Sequence, residues 1–147
     1  MQAAAEQLPF APGSFDLVFC DHGGLSWAPP QLAVPEAARV LRRGGRLVFN
    51  ATSPLFEACY DSGSGRVTAG LRGDYFGLGT TAEDHGATSY QLTYGGCIRL
   101  LRGAGLVIDD LIEPRPDPGM RNGYLRTDPP DWASRWPAEM LWIARKE

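Results

Sequence analysis

The stretch Asp16-Leu-Val-Phe-Cys-Asp21 is a short, unbroken apolar run closed at both ends by carboxylates, the pattern of a strand buried on both faces of a parallel sheet. Arg46-Leu-Val-Phe-Asn50 reads as a second strand. Between the two, Pro29-Pro30 suits a helix opening, because the N–H that proline lacks has no partner there. Val34, Ala37, Val40 and Leu41 then make one apolar stripe. Arg42-Arg43 suit the negative end of the helix dipole, and Gly44-Gly45 stop the helix. Pro35 is compatible only with a first turn, so the helix is expected to start near Leu32 to Val34. A strand, helix and strand joined this closely form a βαβ unit, which commits the chain to an α/β fold.

Downstream the pattern loosens. From Ala51 to Gly95 glycines interrupt every run, and only Ser89 to Thr93 resembles a strand, so residues 51–95 read as an irregular insertion of the kind that carries functional loops. Order returns with Ile98, Leu101 and Ala104, a helix capped by Gly105, and with Leu106 to Ile112, a third strand. The proline-rich stretch 115–130 reads as a surface loop, Asp131-Trp132 as the start of a short helix, and Met140 to Ala144 as a fourth strand. Trp132, Trp136 and Trp142 read together as a packing seam.

Composition excludes several classes. A net charge of −3 over 147 residues, with scattered arginines and Lys146 as the only lysine, argues against nucleic acid, which needs clustered cations. No apolar run approaches the ~20 residues that cross a bilayer, and no signal-peptide pattern opens the chain. Cys20, Cys59 and Cys97 are odd in number and widely spaced, forming neither a disulfide framework nor a CxxC metal pair. A soluble, cytoplasmic protein without a metal is expected; His85, beside Glu83 and Asp84, reads as a solvated loop.

Four stretches, taken in order, resemble the class I S-adenosylmethionine-dependent methyltransferases, in particular the type 11 group. Ala5-Glu6-Gln7-Leu8-Pro9-Phe10 with Ser14-Phe15-Asp16-Leu17-Val18 looks like the passage from that family's third strand into its fourth. Ala38 to Val48 is similar to its next helix, glycine pair and fifth strand, and Leu100 to Leu106 to its late helix and sixth strand. Trp132 to Lys146 resembles the closing segment of a bacterial subgroup. The resemblance implies a single partial methyltransferase domain over residues 1–147, equivalent to the C-terminal half. Its Rossmann-like α/β sheet would hold the last four strands, the final one antiparallel, with flanking helices. The family's glycine-rich strand-to-helix turn, which holds the cofactor's amino-acid part, has no counterpart here, and Ala4 stands where an Asp commonly faces the adenine.

The resemblance also implies the site. S-adenosylmethionine would be met by Ala5, Glu6, Asp21, Gly23 and Trp27, at the carboxyl ends of the strands where open α/β sheets bind ligands. His22, with Asp21, is the candidate base for methyl transfer to a small-molecule acceptor; capping the loop and helix that follow is the commoner use of such residues. Tyr75, Phe76, Tyr90 and Tyr94 are candidates for an acceptor pocket if the insertion folds over the crevice. With the glycine-rich turn missing, the chain alone is expected to be inactive. The alternative is a non-catalytic remnant or interaction module that self-associates through the exposed strand at 16–21. Half of a nucleotide-binding dehydrogenase is a further α/β reading, disfavoured by the stretch from Leu8 to Asp16.

Overall fold

The computed structural model describes residues 3–21, 25–82, 86–117 and 126–147. In chain order its elements are β1 (Phe15–Cys20), α1 (Pro30–Val40), β2 (Leu41–Thr52), α2 (Pro54–Ala58), β3 (Tyr60–Asp61) and β4 (Arg66–Thr68). A 3₁₀ turn (Tyr75–Gly77) follows, then β5 (Thr80–Ala82), β6 (Thr88–Tyr90), α3 (Tyr94–Gly103), β7 (Leu106–Ile112), β8 (Thr127–Asp128), α4 (Trp132–Arg135) and β9 (Glu139–Lys146).

The main sheet has the order β1-β2-β9-β7. β1 and β2 run parallel, and β9 is antiparallel to both its neighbours, the arrangement that the resemblance implies. Alternation along the strands sends Leu47, Phe49, Met140, Trp142 and Ala144 to one face, where they join Val34 and Ala37 of α1 and Cys97 and Leu101 of α3 in one core. The register aligns Phe19 with Val48 and Val48 with Ile143 on the other face. There Leu17 and Phe19 are 54% and 61% exposed. Both long helices contribute to the same buried cluster, so the sheet is covered on one side.

Two local expectations are corrected. The helix starts at Pro30, so Pro35 lies inside it; the first turn is already closed by Leu32 N and Ala33 N donating to Pro29 O. Pro35 forfeits one backbone bond, and burial of Ala33, Val34, Ala37 and Ala38 outweighs it. The helix also ends before the arginine and glycine pairs, at Val40, because Leu41 turns extended to pair with Phe15. Lys146 Nζ reaches back to donate to Leu41 O at 2.8 Å, a cation at the helix's negative end. The next registered pair is Leu17 with Arg46, so the glycine pair absorbs an irregularity in β2. Gly44 takes φ +77°, and a Cβ on Gly45 would lie 3.1 Å from Asp16 O; only glycine lets the strand pass this close.

The insertion holds more regular structure than its glycines suggest. β3, β4 and β8 form a small sheet, with β8 coming from the proline-rich stretch, and β5 pairs with β6. Cys59, Val67, Trp132 and Ala138 make a second core, pinned by Trp132 Nε1 donating to Thr68 O at 2.8 Å. The expected tryptophan seam is therefore divided: Trp132 and Trp136 pack here, at 5.4 Å between ring centroids, while Trp142 stacks on Phe49 in the main core.

Candidate functional site

Parallel pairing of β1 with β2 brings their carboxyl ends side by side, with Cys20 opposite Phe49. Asp21 and Asn50 follow at the mouth of the crevice. Asp21 is exposed. His22 and Gly23 lie outside the described residues, as does His85. Trp27 is 47% exposed and stands beyond Asp21 on the loop into α1. Ala5 and Glu6 occupy a turn closed by Gln7 N donating to Ala4 O at 3.1 Å.

That turn is held by a clamp the sequence did not announce. Glu36 on α1 accepts from Leu8 N at 2.7 Å and takes a two-pronged bond from Arg39. Arg39 in turn donates to Phe10 O at 2.8 Å and Leu8 O at 3.0 Å. The Arg39 bond, then the Leu8 N–H, pull the Glu36 carboxyl down to about 2. Phe10 packs edge-on against Phe15, 4.9 Å between centroids, and Asp16 pairs with Arg42. The opening segment is thus fixed to α1 and to the start of β1.

The insertion does fold over the loop that follows β1: Tyr90 N donates to Ser26 O at 2.8 Å. Below this contact, a narrow cavity of about 30 Å³ runs between α1, α3 and the sheet. Of the four aromatic candidates, Tyr90 lines it. Tyr75 and Tyr94 instead brace α3, with Tyr94 N donating to the Tyr75 hydroxyl at 3.3 Å and the Tyr94 hydroxyl donating to Glu113 at 3.1 Å. Burial, then Glu113, pushes the Tyr94 phenol up to about 12, so it serves as a donor near neutrality, not as a base. Phe76 is 89% exposed and stands apart from the cavity. Cys97 also lines the cavity; burial pushes its thiol up to about 12, which keeps it from acting as a nucleophile.

Two functional candidates escaped sequence reasoning. Asn50 Oδ1 and Trp142 Nε1 are buried without a hydrogen-bond partner, a costly condition that calls for an explanation. A polar amide ending an apolar strand is a visible signal for the first; nothing in the sequence marks the second.

The residues present fit S-adenosylmethionine on one side only. Asn50 Oδ1 offers an orphaned acceptor at the carboxyl edge of the sheet, and the turn at Ala5 and Glu6 is rigidly placed. Ahead of β1, however, Gly13 is the single glycine, so the described residues there form no glycine-rich turn. Among the described residues no three potential ligands gather into a metal site, and no helix is long and apolar enough to cross a membrane.

Residues 1–49 match the model of the methyltransferase domain family. Over 45 residues, 31% of this chain and 17% of the relative, the chain is 53% identical to malonyl-[acyl-carrier protein] O-methyltransferase of Herminiimonas arsenicoxydans. Over 68 residues, 44% of this chain and 26% of the relative, it is 41% identical to a ubiquinone/menaquinone biosynthesis C-methyltransferase of Rhizobium leguminosarum bv. trifolii. The matched stretches thus span about a sixth and about a quarter of those enzymes. The crystal structure of an S-adenosylmethionine-dependent methyltransferase from Mesorhizobium loti aligns with 98% of this chain and 67% of its own, at a TM-score of 0.76 and 21% identity. Residues 1–49 thus match the methyltransferase domain family, and the chain as a whole has the fold of the S-adenosylmethionine-dependent methyltransferases.

Proposed function

We propose that this chain forms the acceptor side of an S-adenosylmethionine-dependent methyltransferase domain acting on a small molecule, and that on its own it holds the cofactor weakly. The observation that carries this is the crevice at the carboxyl ends of β1 and β2, closed by the insertion through Tyr90 and Ser26. In this reading Ala5, Glu6, Asp21, Gly23 and Trp27 face the cofactor, and Asp21 with His22 faces the acceptor. The bound cofactor supplies the electrophilic methyl group. The chain's own residues orient the acceptor, exclude water and, at His22, take up a proton where the acceptor must lose one.

The test is a titration with S-adenosylhomocysteine followed by NMR. Shifts confined to residues around Ala5, Glu6, Asp21 and Trp27, saturating only near or above about 1 mM, are expected. Silence at every residue would remove the cofactor reading. A second reading has the bare face of the sheet behind it: β1 is an edge strand whose Leu17 and Phe19 are exposed. A non-catalytic module would use that edge, residues 16–21, to bind another copy. Concentration-dependent sedimentation together with silence toward S-adenosylhomocysteine would favour it.

A further inference from the structure

The turn at Ala5 and Glu6 is placed by hydrogen bonds rather than by packing. None of residues 3–10 is buried, and their one described bridge, Ala4 with Gln7, lies within the segment itself. A segment with so little apolar contact opens readily unless its backbone is tied down. Two side chains of α1 tie it. Glu36 accepts from Leu8 N at 2.7 Å, and Arg39 donates to Leu8 O at 3.0 Å and to Phe10 O at 2.8 Å, so Leu8 is gripped by both its backbone groups. The other face of α1 is sealed into the core through Val34, Ala37 and Ala38, each at most 5% exposed, which makes the helix a firm base.

The grip is specific to arginine. The Arg39 guanidinium uses four of its five N–H groups, two on Glu36 and one each on Leu8 and Phe10, in a planar fork that lysine does not reproduce. Glu36 is 14% exposed and Arg39 34%, so water screens the pair less than it screens an open surface pair. The Arg39 backbone carbonyl also accepts from Gly13 N at 3.0 Å, which fixes the chain again just ahead of β1.

We propose that Glu36 and Arg39 are positioning residues of the cofactor site: they hold the Ala5–Glu6 turn on α1 in the one arrangement that meets the adenine end of S-adenosylmethionine. The holding of the turn stands on the hydrogen bonds; its use for the cofactor rests on the methyltransferase reading. Both residues act through the turn, not on the reacting atoms. At its N-terminal end α1 also carries the loop of Ser26 and Trp27, tied to the helix where Leu32 N and Ala33 N donate to Pro29 O. One helix therefore sets both the turn and the loop.

A charge swap separates positioning from helix stability. Glu36→Arg with Arg39→Glu keeps an ion pair on α1, but arginine cannot accept from Leu8 N and a carboxylate cannot donate to the two carbonyls. In the swap, the Leu8 and Gln7 amides are expected to exchange with deuterium at least about tenfold faster than in the native chain, with the core amide of Leu47 unchanged. The initial slope of the S-adenosylhomocysteine response at Asp21 and Trp27 should fall at least about fivefold as affinity is lost. Arg39→Lys, which keeps the charge and loses the fork, should move both readouts the same way by less. A Leu8 amide at its native rate in both variants, or a native slope in both, would overturn the proposal. So would Leu47 exchange that quickens in step with Leu8 in both variants, since the pair would then prop the whole fold. A native chain silent toward S-adenosylhomocysteine removes the methyltransferase reading and the cofactor role with it. A native chain that responds, beside variants that respond equally, refutes the positioning role alone.

Discussion

The two faces of the main sheet share four strands and almost nothing else. On one, Leu47, Trp142 and Ala144 are at most 1% exposed beneath α1 and α3; on the other, Leu17 and Phe19 are more than half exposed. β1 is as apolar on its bare side as on its covered side, although apolar surface left in water contributes none of the roughly 25 cal/mol per Å² that burial provides. Alternating polar residues would have made a one-sided sheet stable in water. β1 does not alternate, so its sequence suits a strand covered on both faces. The same asymmetry runs through the crevice: one wall is braced by the Glu36–Arg39 clamp, and the described residues ahead of β1 add no glycine-rich turn to it.

The comparison breaks if the faces turn out to be equally important. Leu47→Ala, on the covered side, should lower stability by about 2–5 kcal/mol in urea denaturation, whereas Leu17→Ala should cost about 0.5 kcal/mol or less. Similar losses would mean the second face is covered in solution. The clamp gives a smaller effect with a defined pH window. Glu36 has its carboxyl drawn from 4.5 down to about 2, so its contribution is complete above about 4.5 and disappears as the pH falls through about 2. Glu36→Gln should therefore be less stable than the native chain at pH 6, with the gap narrowing at pH 4 and further at pH 3. A gap that widened on acidification would contradict the clamp.

Phe19→Ser sharpens the bare face specifically. It should leave the urea midpoint almost unchanged and reduce any concentration-dependent sedimentation. The smallest effect concerns thiols. Burial raises Cys59 and pushes Cys97 up to about 12, while Cys20 is only half-buried. At pH 8 iodoacetamide should label Cys20 at least about tenfold faster than Cys97; equal rates would mean the main core opens readily.

The sheet was legible because its strands are continuous apolar runs, and because the four family-like stretches implied a four-stranded sheet with the antiparallel β9. What the sequence hid has physical causes. Pro35 inside α1 is tolerated through packing that no local rule reports, and Leu41 leaves the helix because a distant residue, Phe15, offers it a strand partner. The insertion's small sheet joins β4 to β8 across the proline-rich stretch, a long-range pairing with no periodic signal. Within the site, Tyr90 was readable as an aromatic of the insertion, but the orphaned Nε1 of Trp142 depends on what fails to lie beside it.

The central claim is the proposal that these residues hold the cofactor weakly, and the S-adenosylhomocysteine titration tests it most directly. Weak binding that saturates only near or above about 1 mM, seen at Ala5, Glu6, Asp21 and Trp27, is the predicted result. Binding at about 1 μM would contradict it, because the described residues would then hold the ligand tightly without a glycine-rich turn ahead of β1.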